Sequence, residues 1–298
     1  MDLIKKYAPL ANKRSIRQYD QPRCFELAGK KLTFAIDTGE ETGEIVLDVV
    51  DKKHLKWSIL GGKATGEADY ECRKSDDDTY LLTYCVPEPR ENHTYVIDME
   101  QELVTFLRCV VGENAYYPLL VDSHFGFGYI VIEGKPHTDY KRHGFTEDVS
   151  GTAVRWTYGH ELSTIHAYFD PHWYRIAYPR ENIKSKSQKA TNSLFRECLA
   201  MLPGSEEPAY YVKIKEGMYL VSVTEQNMEK IVAEKFGFRS DTLCFLDNWN
   251  RMTSVGRGYG TRTDKDGNNS ELFLTLGKYG SPVDVDPKYM EDPIAYIV

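Results

Sequence analysis

GKKLTFAIDTG, residues 29–39, and GTAVRWTYG, residues 151–159, each run from glycine to glycine through alternating side chains. Successive strand residues point to opposite faces, so Leu32, Phe34 and Ile36 share a face in the first stretch, and Val154, Trp156 and Tyr158 share one in the second. Two strands framed alike predict an internal duplication, and the rest of the chain keeps the same rhythm. KKLTFAID, GEIVLDVV, HLKWSIL, YLLTYCV, HTYVIDM, LVTFLRCVV and FGYIVIEG are followed by TAVRWTYG, STIHAYF, HWYRIAY, YYVKIK, MYLVSVTE, KIVAEKFG, DTLCFLDNW and ELFLTLGK. Asp51 aligns with Asp170, Ala68 and Tyr70 with Ala209 and Tyr211, Tyr80 with Tyr219, and Phe106-Leu107 with Phe245-Leu246. Each half therefore holds enough short antiparallel strands for an up-and-down barrel or a sandwich.

The sequence predicts an N-terminal extension over 1–24, a first unit over 25–142 and a second over 143–298, cut in the polar stretch GKPHTDYKRHGF at 134–145. An insertion near 184–208 carries Leu194, Cys198, Leu199 and Leu202 at helical spacing before Pro203-Gly204, which predicts a short helix.

At 298 residues the chain can bury a substantial core without staples. A net charge of −8 opposes a nucleic-acid partner. The opening MDLIKKYAPLANKR lacks a signal-peptide stretch and no apolar run is long enough to span a bilayer, so the expectation is a soluble cytoplasmic protein with no membrane partner. Six scattered cysteines without a C-x-x-C pair read as reduced packing residues. The 21 tyrosines suit β structure and a polar-lined interior, since a buried hydroxyl wants a partner.

Strand parity sorts candidate site residues in the second half. Trp156 and Tyr158 share a face, as do Trp173, Arg175 and Ala177, and as do Tyr219, Val221, Val223 and Glu225. If these faces are interior, the cavity holds a phenol, a guanidinium and a carboxyl among aromatic walls. Arg and Tyr can then bind a substrate carboxylate, and a desolvated Glu can deliver a proton. The competing arrangement is an outward ion pair of Arg175 and Glu225 beside a core Trp156. His160, His166 and His172 fix no common face, so no metal site is expected. The glycines of VGRGYG at 255–260 lack the context of a phosphate loop and read as turn residues, and SDDDT at 75–79 reads as a solvated hairpin turn.

The runs RWTYGHE, DPHWYRIAY and EGMYLVSVTE are similar in order and spacing to strands of the phenolic acid decarboxylases, which are small lipocalin-like barrels. The whole duplicated chain, with its openings LAGKKLTFAIDTGEETGEI and RWTYGHELSTIHAYFD, resembles the MoaF family, two-domain proteins labelled for molybdenum cofactor biosynthesis. The resemblance implies an all-β fold of two tandem lipocalin-like antiparallel barrels. It also implies that Tyr158 and Arg175 hold an acid while Glu225 protonates a conjugated double bond, with Trp156, Trp173 and Tyr219 lining the site. Trp156 stands where the decarboxylases carry the first Tyr of a Tyr-x-Tyr pair, which departs from their way of holding the carboxylate. In the first half Leu32, Phe34, Ile36 and Trp57-Ser58 occupy the matching positions, so that barrel reads as a structural partner or apolar binder.

The expected function is a small-molecule enzyme, a cofactor-free lyase, isomerase or cyclase acting on an aromatic or conjugated substrate in the C-terminal barrel. The alternative is a non-catalytic binder of a hydrophobic metabolite, or an accessory protein of molybdenum cofactor biosynthesis. Either leaves room for a homodimer.

Overall fold

A computed structural model describes residues 18–112, 120–137, 141–159, 163–177, 205–225, 239–263 and 266–284. The first half closes into an eight-stranded antiparallel barrel in sequence order. Its strands are β1 (Lys31–Asp37), β2 (Thr42–Asp48), β3 (His54–Ile59), β4 (Ala64–Lys74), β5 (Thr79–Val86), β6 (Glu91–Asp98), β7 (Leu103–Val111) and β8 (Val121–Ile130). After the short β9 (Gly144–Phe145), the second half repeats the plan. It comprises β10 (Thr152–Thr157), β11 (Ser163–Asp170), β12 (Trp173–Ala177), β13 (Ser205–Lys215), β14 (Met218–Thr224), β15 (Arg239–Asn248), β16 (Thr253–Thr263) and β17 (Asn269–Pro282). β12 pairs with β13 and β10 with β17, which closes this barrel, while β9 adds to the far end of β13.

The duplication extends to backbone detail. Gly29 and Gly151, each just ahead of its barrel's first strand, have φ of +79° and +82°, which a residue without Cβ adopts freely. Glu102 and Met252, at matching turns, are both left-handed. One alignment is corrected: Tyr80 and Tyr219 do match, but Leu82 pairs with Tyr95 while Val221 pairs with Phe245. The counterpart of Phe245 is therefore Tyr95 on β6, and Phe106 lies one strand later on β7.

Other expectations sort in the same way. Residues 184–204 of the expected helical insertion lie outside the described residues, and 205–208 form the start of β13, paired to β12. Among the described residues the one helical element is a 3₁₀ turn at Leu60–Gly62. The VGRGYG glycines are not turns but strand residues of β16. Asp76 does organise the SDDDT hairpin, its Oδ1 accepting from the N–H groups of Asp78 and Thr79.

The barrels pack wall to wall. Leu81, Val96, Leu107 and Cys109 of the first meet Val212, Leu220, Leu246 and Val255 of the second in one buried cluster. Within this seam Arg257 is wholly buried, donating to Thr94 Oγ1, to the carbonyl and hydroxyl of Thr242, and to Cys109 Sγ. Residues 18–24 of the N-terminal segment bind both units: the Tyr19 N–H donates to the Tyr158 carbonyl, and the Cys24 N–H to the Cys72 carbonyl. Among the described residues no helix is long and apolar enough to cross a membrane.

Candidate functional site

In the second barrel the odd residues of β13 and β14 and the even residues of β10 and β12 face inward, which puts Trp156, Tyr158, Tyr174, Ile176, Tyr211, Tyr219 and Phe245 in one core. Lys278, on β17, enters this core completely buried. Its Nζ lies 3.2 Å from Asp247 Oδ1, and 3.6, 4.3 and 6.0 Å from the ring centres of Phe245, Trp156 and Tyr158. Asp247 Oδ2 accepts from the Tyr168 hydroxyl at 3.3 Å, and that oxygen accepts from Trp156 Nε1 at 3.2 Å. A polar chain from indole to ammonium thus crosses an aromatic interior.

Two glycines help make this geometry. A Cβ at Gly280 would sit 2.6 Å from the Trp156 ring, and one at Gly256 would sit 2.5 Å from both the Cys244 carbonyl oxygen and the Phe245 ring. The large rings occupy the space those side chains would take.

Burial pushes the Lys278 amine down to about 8, against the opposing pull of Asp247. Burial likewise drives the Tyr158 phenol well above its usual range, so it stays protonated and able to donate. His166, beside Lys278 and ringed by Tyr168, Tyr174 and Phe245, is pushed far toward its neutral form by burial. Neither of its ring nitrogens has a hydrogen-bond partner among the described residues.

The structure brings together some of the residues expected from sequence. Tyr158, Trp156 and Tyr219 are interior. Glu225 is buried at the end of β14, continuing the inward parity of Val221 and Val223, and its charge is felt at Tyr158. Arg175 is not with them. Ile176 stands opposite inward-facing His166, so Trp173 and Arg175 take the outer face. There Arg175 chelates Glu206 Oε1 at 2.9 and 2.5 Å and stacks on Phe169, and Trp173 is 38% exposed. The expected interior face of β12 is corrected by one residue, and among the described residues the cation inside the barrel is Lys278. Of the histidines, His172 lies in the β11–β12 turn and His160 outside the described residues.

The first barrel is more polar than its sequence suggested. Inside it, Tyr95 and Tyr84 hydroxyls lie 3.1 Å apart, Tyr84 is 3.0 Å from His93 Nδ1, and His93 Nε2 is 2.8 Å from Glu91 Oε2. Arg108 chelates Glu91 at 3.0 and 2.5 Å. Burial pushes the Glu91 carboxyl up, but hydrogen bonds from His93 and Arg108 outweigh it and hold the group at about 2. Burial lowers His93 despite Glu91, leaving a neutral ring. A carboxylate only accepts, so His93 carries its proton on Nε2 and Tyr84 must donate to Nδ1. This chain ends at a half-open cleft of about 950 Å³ at the barrel mouth, lined by Trp57, Phe106, Glu91, His93 and Arg108 and continuing past Phe125 toward Tyr210 of the second barrel. His93 shares a face with Tyr95 and Ile97 in ENHTYVID, and Lys278 shares one with Leu274 and Leu276 in LFLTLGK. Polar residues, Glu91 and His93 in one strand and Lys278 in the other, on a face shared with large apolar or aromatic side chains were the available signal.

The chain is thus a protein of two tandem closed β-barrels, each with a polar network inside an aromatic core. Residues 10–112 match the MoaF N-terminal domain family, a stretch that spans β1 to β7 of the first barrel. No curated protein matches the chain. The likeness of the second half to phenolic acid decarboxylases finds no support in that match.

Proposed function

We propose that the protein is a small-molecule enzyme whose second barrel acts on an aromatic or conjugated substrate by general acid–base chemistry. The observation that carries this reading is His166, 1% exposed beside Lys278 in an aromatic interior, with neither ring nitrogen hydrogen-bonded among the described residues. A buried imidazole without partners costs about 1–3 kcal/mol, a cost offset when a guest supplies the missing polar contact. The flat walls of Trp156, Tyr158 and Phe245 favour a planar guest, and the ammonium of Lys278 favours one with a carboxylate or carbonyl.

In this reading Lys278 takes the anion-holding role that the sequence assigned to Arg175. Tyr158 donates to the same group, and Glu225 exchanges a proton with the conjugated carbon. Protonating a conjugated system leads to loss of carbon dioxide, double-bond migration or ring closure according to the substrate. The position of Arg175, tied to Glu206 outside the wall, favours a second reading in which the barrel binds its guest without changing it.

A panel of cinnamic-type acids separates the two. Turnover appears as a change in ultraviolet absorbance that Glu225→Gln stops while tryptophan quenching by the acid persists. Quenching with no absorbance change selects the binder, and neither signal removes both readings.

A further inference from the structure

The cleft at the mouth of the first barrel is separate from the chemistry assigned to the second, and its lining is specific. Trp57 lies flat over Gly66, where a Cβ would come within 2.6 Å of the indole. The His93 ring stands edge-on between Trp57 and Phe106, 5.5 Å from each and at 82° and 79° to them. These rings suit a planar guest. At the cleft's polar edge, the carboxylate of Glu91 and the guanidinium of Arg108 stand side by side. The chain from Tyr95 through Tyr84 and His93 fixes Glu91 from behind, so the pair is already arranged before anything binds.

A carboxylate offers acceptors only and a guanidinium offers donors only. A guest bearing an acid would set its charge against Glu91, and one bearing an amine would set its charge against Arg108. A neutral edge with N–H beside C=O satisfies both. We propose that the mouth of the first barrel is a second small-molecule site that takes planar cyclic amides, with the ring N–H donated to Glu91 and the carbonyl accepting from Arg108.

The test uses 2-quinolone as the probe and N-methyl-2-quinolone, which lacks the donor, as its partner. The full chain is labelled at its four tryptophan indole nitrogens, and the Trp57 signal is assigned through Trp57→Phe. 2-Quinolone is expected to shift the Trp57 signal saturably and leave Trp156 unmoved. The N-methyl compound should bind at least about tenfold more weakly, and so should 2-quinolone to Arg108→Met, as loss of a hydrogen bond to a charged group predicts. The wild-type comparison needs no variant to fold. An unmoved Trp57 signal, equal binding of the two quinolones, or a shift confined to Trp156 overturns the proposal.

Discussion

Lys278 is the residue on which the chemistry proposed for the second barrel turns, and its burial has a measurable consequence. Below about pH 8 the amine is charged in both the folded and the unfolded chain, and the full cost of burying that charge weighs on the fold. Between about 8 and its ordinary value of 10.5, the unfolded chain keeps the proton and the folded chain releases it. Stability therefore rises with pH through this window, by at most about 3 kcal/mol. Buried thiols such as Cys85 and Cys244, pushed up to about 12 by burial, oppose the trend once pH passes about 9, and buried phenols such as Tyr95 and Tyr168 once it passes about 10, because the unfolded chain then loses protons first. Urea melts from pH 7 to 10 should show the wild type gaining stability relative to Lys278→Met as pH rises through this window. A profile equally steep in the variant would mean that another group titrates there. The signal for Lys278 was weak because a lone lysine on a strand ordinarily reaches solvent, and the partners that hold it inside, Asp247, Phe245 and Trp156, come from other strands.

At the scale of the strand, alternation decided most faces correctly and failed where it carried no contrast. In β10 and the residue after it, the inward set Val154, Trp156, Tyr158 alternates with Arg155 and Thr157, and parity reads cleanly. In β12 the run WYRIA places an aromatic residue on each face, so the contrast is weak, and a one-residue slip moves Arg175 from one side of the wall to the other. The glycines of β16 were misread for a related reason: a glycine marks a turn or a close approach, and sequence alone does not say which. Their contacts give a graded prediction. A Cβ at Gly128 on β8 would lie 1.9 Å from the Ala35 carbonyl oxygen, a backbone atom that cannot swing aside. One at Gly258 would meet the tip of Leu243 at 3.1 Å, which can. Gly128→Ala should cost about 3 kcal/mol or prevent folding, and Gly258→Ala less than about 1 kcal/mol, as read from denaturant midpoints. Equal midpoints would show that β1 and β8 do not approach as closely as described.

At the scale of the whole molecule, the duplication was legible because it repeats strand rhythm and glycine positions, but the seam between the halves was not. The seam uses outward faces, and an apolar outward face looks in sequence like a second core face. Leu81, Val96 and Leu107 alternate with inward Tyr80, Tyr95 and Phe106, so these strands of the first barrel are apolar on both sides. Covering that outer face is the second barrel's structural task. Arg257 strengthens the dependence, since its charge is buried and its partners Thr94 and Cys109 belong to the other barrel. Lys215, reaching Asp76 at 3.0 Å, and Gln101, donating to the Ile214 carbonyl at 2.9 Å, join the rims. The halves, though each a closed barrel, should therefore unfold as one unit. Calorimetry of the full chain is expected to give a single transition whose calorimetric and van't Hoff enthalpies agree. Arg257→Ala, which removes the charge's hydrogen bonds and leaves a hole in the seam, should lower that transition by about 3 kcal/mol or split it in two. A fragment of residues 18–142, deprived of the covering face, should self-associate on size exclusion, because an apolar wall left bare is an aggregation surface. If that fragment ran as a stable monomer with the full chain's thermal midpoint, the barrels would be independent, and the seam would be a contact of convenience rather than part of what holds the molecule together.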